Sequence, residues 1–519
     1  MNLREKEKPA RSGSVADAAV IGVICAALCL PFLRSIYWLG DEGIFIHGAL
    51  LLNNGKTLYK DFFEYHPPIA FLVTQLWLML AGPSLAGARV LVVLLIAGIS
   101  FFTCLICLRT SESRPVSAAL TFIWAISSQG HWTAIDHHWF TTLFSMIAFL
   151  SLLPGRSQRI HPFFCGFAAG ASALTTSGRG ALVVLAAFLT ILVRGDKIDT
   201  WKYVGGGASI AALVLLYVVA NGSFVAAYRD IIVFAATRYI GSIESVPFGS
   251  GTGVQYFATT LVFPVAAVLA TWAIIQGRAR ILRDHKFRAA LAFGMAGFLG
   301  CFPRPDAGHL LFAVPLILPL VSISFVEMPQ SRWRTQAIMV AFLGVTLASL
   351  LGYYRTVKAT VRAPQIQTAA GKVRIVPPDG ELGLLQRIAT IGSNQRFLFY
   401  PYDPMLPFLT GHEHVARLDV FLPQHTTAAQ YAGACVQTIR RADWVVIDRS
   451  WTNATFHAVF PSMANPQPPE KVYFERAIES DFAVVGKFGN YELRKRERRD
   501  ERLCANIRAV AQRGMSAHS

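Results

Sequence analysis

The feature that most limits what this chain can become is a succession of apolar runs, most of them about as long as a bilayer requires, separated by short polar segments. In lipid only a helix or a closed barrel satisfies its own backbone hydrogen bonds, and runs of about 17 to 25 residues suit helices. In order they lie near Ala18 to Leu33, Ala88 to Leu108, Val116 to Ser128, Trp139 to Leu153, Pro162 to Thr176, Ala181 to Val193, Tyr203 to Ala220, Tyr256 to Ile275, Ala289 to Phe302, Leu310 to Phe325 and Thr335 to Tyr353. The expected fold class is a polytopic α-helical membrane protein with about 11 transmembrane helices. Composition agrees, with 53% of the 519 residues hydrophobic and 15% charged, against about 25% charged in soluble domains.

Charge then orients the runs. The net charge of +17 is carried by short clusters between apolar runs, a pattern that sets topology and argues against a nucleic-acid partner. Arg4, Lys6, Lys8 and Arg11 precede the first run, and no small-residue cleavage site follows it, so a retained first helix is expected. With a cytoplasmic amino terminus, every basic cluster falls inside: Arg109 and Arg114; Arg156 and Arg159; Arg194, Lys197 and Lys202; Arg278, Arg280, Arg283, Lys286 and Arg288; Arg332 and Arg334. The opposite loops carry Asp41, Glu42, Asp61, Glu64, Asp136, Glu244 and Asp306. This is the expected orientation in a bacterial inner membrane, with a first outer loop at about 34–87 on the periplasmic side.

The division expected is a transmembrane region 1–354 followed by an extracytoplasmic α/β domain 355–519, where composition turns mixed and proline-rich. Apolar runs at Arg396 to Tyr400, Trp444 to Asp448, Phe482 to Gly486 and from Tyr491 predict strands, and Leu382 to Ile391 and Ala428 to Arg441 predict helices. Cys435 and Cys504 are the two cysteines of this region and suit one disulfide in an oxidising compartment. Cys104 and Cys107 sit inside an apolar run and read as small hydrophobes. The sequence carries no Walker loop, Rossmann glycine pattern or zinc-protease helix motif, so nucleotide-driven transport and proteolysis lack their hardware.

Asp41 and Glu42 follow directly on the first apolar run, and ionisable groups at a membrane boundary face water, a partner or a substrate. Further along the outer side stand Asp136-His137-His138, Arg179 in a long apolar stretch, and Arg304-Pro-Asp306-Ala-Gly-His309. Each has a plainer reading as well: a solvated turn, interfacial histidines anchoring lipid headgroups, a snorkelling arginine and a local Arg304–Asp306 ion pair.

The order Gly40-Asp-Glu-Gly43, Tyr59-Lys-Asp-Phe62 and His66-Pro-Pro68 within a first outer loop resembles the GT-C superfamily of membrane glycosyltransferases. Its protein mannosyltransferase and aminoarabinose transferase branch is the nearest in pattern. The resemblance implies transfer of a sugar from a polyprenyl-phosphate carrier to a lipid, glycan or protein acceptor on the periplasmic face, by inverting displacement. It implies Asp41 as the base or acceptor-orienting group, with Glu42 and Asp136 as further catalytic acids. The donor phosphate falls to basic residues; the family's cation before Pro-Pro is replaced here by His66, leaving Lys60, Arg179, Arg304 and His309 to share the contact. A divalent metal ion is the one cofactor suggested, held by Glu42, His137 and His138. A transporter or flippase of lipid-linked saccharides is the alternative class: it shares the helices and phosphate sites and needs no base.

Overall fold

The computed structural model describes residues 13–154, 160–239, 284–302, 304–327, 332–377, 380–459 and 467–516. The run at Tyr256 to Ile275 and the charged residues Arg156, Arg159, Glu244, Arg278, Arg280 and Arg283 lie outside these described residues. Each of the other ten apolar runs contains a helix.

The chain opens with α1 (Gly13–Ala27), then the short strand β1 (Ser35–Ile36), α2 (Asp41–Asn53) and α3 (Ile69–Ala81). The bundle continues with α4 (Leu85–Ser111), α5 (Arg114–His131), α6 (His137–Leu152), α7 (Pro162–Ala173), α8 (Ser177–Leu192) and α9 (Lys197–Ala220). After α10 (Phe224–Ala227) come α11 (His285–Leu299), α12 (Ala307–Glu327) and α13 (Arg332–Arg362). Starts are fixed by side chains that accept free backbone N–H groups: Ser84 for α4, Asp136 for α6, Asp196 for α9 and Asp284 for α11.

Among the described residues, five segments are long and apolar enough to cross a bilayer, Val15–Phe32, Leu85–Ser111, Lys197–Ala220, Ala307–Glu327 and Met339–Arg362, so the protein is a multi-pass membrane protein. The segment 34–87, expected as a first outer loop, is itself folded. Its helix α3 has 13 residues, about 20 Å of length, which is too short to span, yet Leu76, Met79 and Leu80 on it are exposed.

The C-terminal region follows as β2 (Gln365–Thr368), β3 (Gly371–Ile375), α14 (Glu381–Ile388), β4 (Phe397–Tyr400), α15 (Met405–Thr410), α16 (Ala428–Arg441) and β5 (Trp444–Asp448). It ends with α17 (Asn453–Val459), α18 (Pro469–Asp481), β6 (Phe482–Phe488), β7 (Tyr491–Arg496) and α19 (Arg502–Ser516). Strands β4, β5, β7 and β6 form a sheet in that order, β4 parallel to β5 and the other pairs antiparallel. Helices α16, α18 and α19 pack together, and the Cys435–Cys504 disulfide joins α16 to α19.

This region is sewn to the segment between α1 and α4. Strand β1 pairs in parallel with β3, Ser35 opposite Arg374 and Ile36 opposite Ile375, in a sheet completed by β2. One hydrophobic core holds Phe45, Phe71, Leu91 and Trp139 together with Phe399, Met405, Trp444 and Leu493. The composition change at Tyr354 falls inside α13, which continues to Arg362. A cut at 354/355 therefore divides a helix, and residues on both sides of it share one core.

Candidate active site

Helices α2, α6, α8 and α12 begin around one place. Phe45 of α2 packs on His137 at the start of α6, with ring centroids 5.4 Å apart, and His138 meets His309 of α12 at 5.0 Å. From the first turn of α8, the Arg179 Nη2 donates to the His309 carbonyl at 3.1 Å. Each helix start leaves unpaired N–H groups and the positive end of its dipole, so four together favour an anion. Helix α5, with 18 residues, separates this place from the Arg109 to Arg114 turn by about 27 Å. The site and that basic cluster occupy opposite ends of the bundle.

Four imidazoles line up across the site. His66 and His137 have centroids 4.4 Å apart, His137 and His138 4.0 Å, and His138 and His309 5.0 Å. A carboxylate anchors each end: Glu64 meets His66 Nδ1 at 2.5 Å, and Asp306 meets His309 Nδ1 at 2.8 Å. Burial alone would lower the His66 pKa, but the Glu64 carboxylate outweighs it and holds the ring above the usual imidazole range. Asp306 is likewise buried, which raises its pKa, yet His309 and Arg304 hold it below the ordinary carboxylate range. Between the ends, Asp136 caps α6 by accepting the His138 backbone N–H at 2.8 Å.

Asp41 is the first residue of α2 and lies close enough to Asp136 to feel its charge. Burial, then the Asp136 charge, push its carboxyl up to about 6. Against them works the Tyr402 hydroxyl, which donates a short hydrogen bond to Asp41 Oδ1 from the C-terminal region. The Tyr402 phenol, buried and beside that carboxylate, is pushed well above its usual pKa and stays a donor. Tyr402 also packs edge-on against Trp38 at 5.3 Å and against Trp451 at 5.2 Å. Gly43 lets this loop approach: a Cβ there would lie 2.2 Å from the Met405 nitrogen, whose N–H donates to the Leu39 carbonyl at 3.0 Å. Tyr402 opens the segment Tyr402 to Gly411, which resembles one in bacterial relatives of the GT-C enzymes, but its contact with Asp41 across 361 positions becomes legible only through the fold.

Glu42 stands differently from the expectation that it supports catalysis or binds a metal. Arg89 of α4 holds both its oxygens, Nε to Oε1 at 2.6 Å and Nη2 to Oε2 at 2.6 Å, and the Ile135 N–H donates to Oε1 at 3.1 Å. Arg89 also donates to the Ser35 carbonyl at 2.9 Å and the Thr133 hydroxyl at 3.0 Å. The buried pair ties β1, α2, α4 and the loop before α6 together, which makes Glu42 a brace. Asp136 takes the place beside the two histidines that Glu42 was expected to fill. Arg89 was visible as the lone charge at the start of an apolar run.

The expected phosphate ligands separate into two groups. Arg179 is 2% exposed, and its Nε and Nη1 have no hydrogen-bond partner among the described residues. Its stem crosses Gly300 so closely that a Cβ there would lie 2.7 Å from Arg179 Cγ. Arg304 lies 3.6 Å from Asp306, and its charge reaches Asp41. Arg179, Arg304, His66 and His309 are thus brought to one place with Asp41 and Asp136. Lys60 is exposed, and among the described residues no hydrogen bond or ion pair draws it to this group.

No protein-family model matches the chain, and no curated protein does. Solved structures do share its fold. The chain is similar to the crystal structure of ArnT from Cupriavidus metallidurans bound to undecaprenyl phosphate, with a TM-score of 0.53, 16% identity and coverage of 93% of this chain and 98% of that one. The apo state of the same ArnT superposes with a TM-score of 0.50 and 15% identity, covering 92% of this chain and 96% of that one. The chain therefore shares the fold of these membrane-protein structures. The particular structure it follows along nearly its whole length is ArnT.

Proposed function

We propose that this protein is a glycosyltransferase that moves a sugar from a polyprenyl-phosphate carrier to a lipid, glycan or protein acceptor on the periplasmic face of a bacterial inner membrane. The observation that carries the reading is the presence in one site of Asp41, a carboxylate poised near neutrality, and Arg179, a buried guanidinium whose Nε and Nη1 have no hydrogen-bond partner among the described residues. A buried charge without its hydrogen bonds is costly, and an incoming phosphate supplies them. The polyprenyl phosphate bound to ArnT is a ligand of that chemistry, and the two proteins share their fold.

In this reading the donor phosphate lies among Arg179, Arg304, His309 and His66, facing the four helix starts. The phosphate leaves as a stabilised anion, so the protein adds little covalent chemistry. Asp41 accepts the acceptor hydroxyl's proton as that oxygen bonds to the anomeric carbon and the carbon–phosphate oxygen bond breaks. Tyr402 fixes the Asp41 carboxylate for that task. The hydrogen-bonded base also distinguishes this reading from a flippase, which transfers no proton.

The test is Asp41→Asn in proteoliposomes supplied with a polyprenyl-phosphate sugar and envelope acceptors. Sugar transfer should fall by about 10²–10⁴-fold, the usual contribution of a positioned base. Unchanged transfer would sink the proposal, and retained movement of the lipid-linked sugar without any transfer would turn it toward the flippase.

A further inference from the structure

The middle of the imidazole row differs from its ends. His66 and His309 have their Nδ1 atoms occupied by Glu64 and Asp306, whereas the Nδ1 atoms of His137 and His138 are buried and have no hydrogen-bond partner among the described residues. One donor atom each from Asp136, His137 and His138 lies within 4.8 Å of the others. Asp136 Oδ1 and His137 Nδ1 are 3.1 Å apart without being aligned for a hydrogen bond. Two donors on one tetrahedral ion at about 2.0–2.1 Å stand about 3.3 Å from each other, so this pair already has the spacing of shared ligands.

The structure assigns Asp136, His137 and His138 as a binding site for one divalent transition-metal ion of the zinc class. Two imidazole nitrogens and one carboxylate oxygen suit zinc, cobalt or nickel and do not suit calcium or magnesium, which take oxygen ligands. Three protein donors leave a fourth position open, as in zinc sites that act on a substrate. The Asp136 carboxylate is fixed by the His138 N–H, the kind of supporting bond that orients a metal ligand. Arg179 lies within electrostatic reach of both His138 and Asp136, so an anion in the open position touches guanidinium and metal together. On the transferase reading, that anion is the donor phosphate and the ion neutralises it as it leaves. The site itself rests on the three side chains alone.

Full-length protein purified in detergent, stripped with a chelator and dialysed, is titrated with Co²⁺ and then with Zn²⁺. One Co²⁺ per chain with visible absorption bands, displaced by one Zn²⁺, is expected. His137→Ala and His138→Ala should each weaken binding by about 10–100-fold, while His66→Ala, outside the three ligands, should change it little. Asp136→Asn also loses the α6 cap charge, so the two histidine variants and the wild-type stoichiometry carry the test. Absence of stoichiometric binding, or binding indifferent to both histidine variants, overturns the site. Full sugar transfer by metal-free protein overturns the ion's role while leaving the transferase standing; stoichiometric metal with no transfer in any condition does the reverse.

Discussion

The Asp41 carboxyl owes its place near neutrality to opposed effects, and the opposition gives a sharp experiment. Burial and the Asp136 charge raise it to about 6, and the Tyr402 hydroxyl pulls it down. A base must be deprotonated to act, so on the proposed transferase reading sugar transfer should be fully available above this value and be lost as pH falls through it. Tyr402→Phe removes a stabiliser of the charged form. Hydrogen bonds to charged groups contribute about 1.5–3 kcal/mol, so the acid limb of kcat/KM should move to higher pH by about one to two pH units. A pH–rate profile that stays in place would show that Tyr402 does not set the base. The Glu42–Arg89 pair makes a second residue-scale case. Breaking one side of a buried ion pair leaves an uncompensated charge and costs about 3–5 kcal/mol, whereas replacing both partners by apolar groups often costs far less. Glu42→Gln should thus lower the melting temperature in detergent more than the double variant Glu42→Leu with Arg89→Met. Equal losses would mean that the pair stabilises through its other hydrogen bonds.

At the scale of elements, what was legible in the sequence is what local pattern determines. Apolar length located the described helices of the bundle other than the short α10 and other than α2 and α3, which lie in the segment expected as a loop, and short apolar runs between turn residues located β4 through β7, because both signals are local in the chain. Contacts across the chain left no such trace. Arg89 and Glu42 are 47 positions apart, and Tyr402 and Asp41 are 361 apart. Two-residue β1 has no periodicity at all and exists because β3 offers it an edge. The histidine row was legible only as separate pieces; its continuity depends on α2, α6 and α12 meeting. The cysteines were a countable signal, and their link has an element-scale consequence. The bond between α16 and α19 spans 69 positions, and removing such a crosslink from a folded region typically costs about 2–5 kcal/mol. Cys435→Ser should lower the unfolding temperature of the C-terminal helices, followed by limited proteolysis around α19. No change in proteolysis would place the stability of that helix in its packing alone.

For the whole molecule, the membrane bundle and the C-terminal region act on the same carboxylate from two sides. Helix α2 presents Asp41, the bundle supplies Arg179 and the histidine row, and the C-terminal loop supplies Tyr402. The join depends on a backbone contact at Gly43 that leaves no room for a side chain. Gly43→Val should force the Pro404–Met405 backbone away from α2, because both atoms in the way are main chain and neither can rotate aside. Tyr402 then leaves Asp41 while Arg179 and the histidine row keep their places, so phosphate binding persists and the base is released. The variant should reproduce the Tyr402→Phe shift of the acid limb, and combining the two should add nothing further, since both remove one interaction. Affinity for a polyprenyl phosphate should remain within a few-fold of wild type. Additive shifts in the double variant would mean that Gly43 and Tyr402 act through separate contacts; a loss of polyprenyl-phosphate binding would mean that docking of the C-terminal region shapes the phosphate site as well as the base.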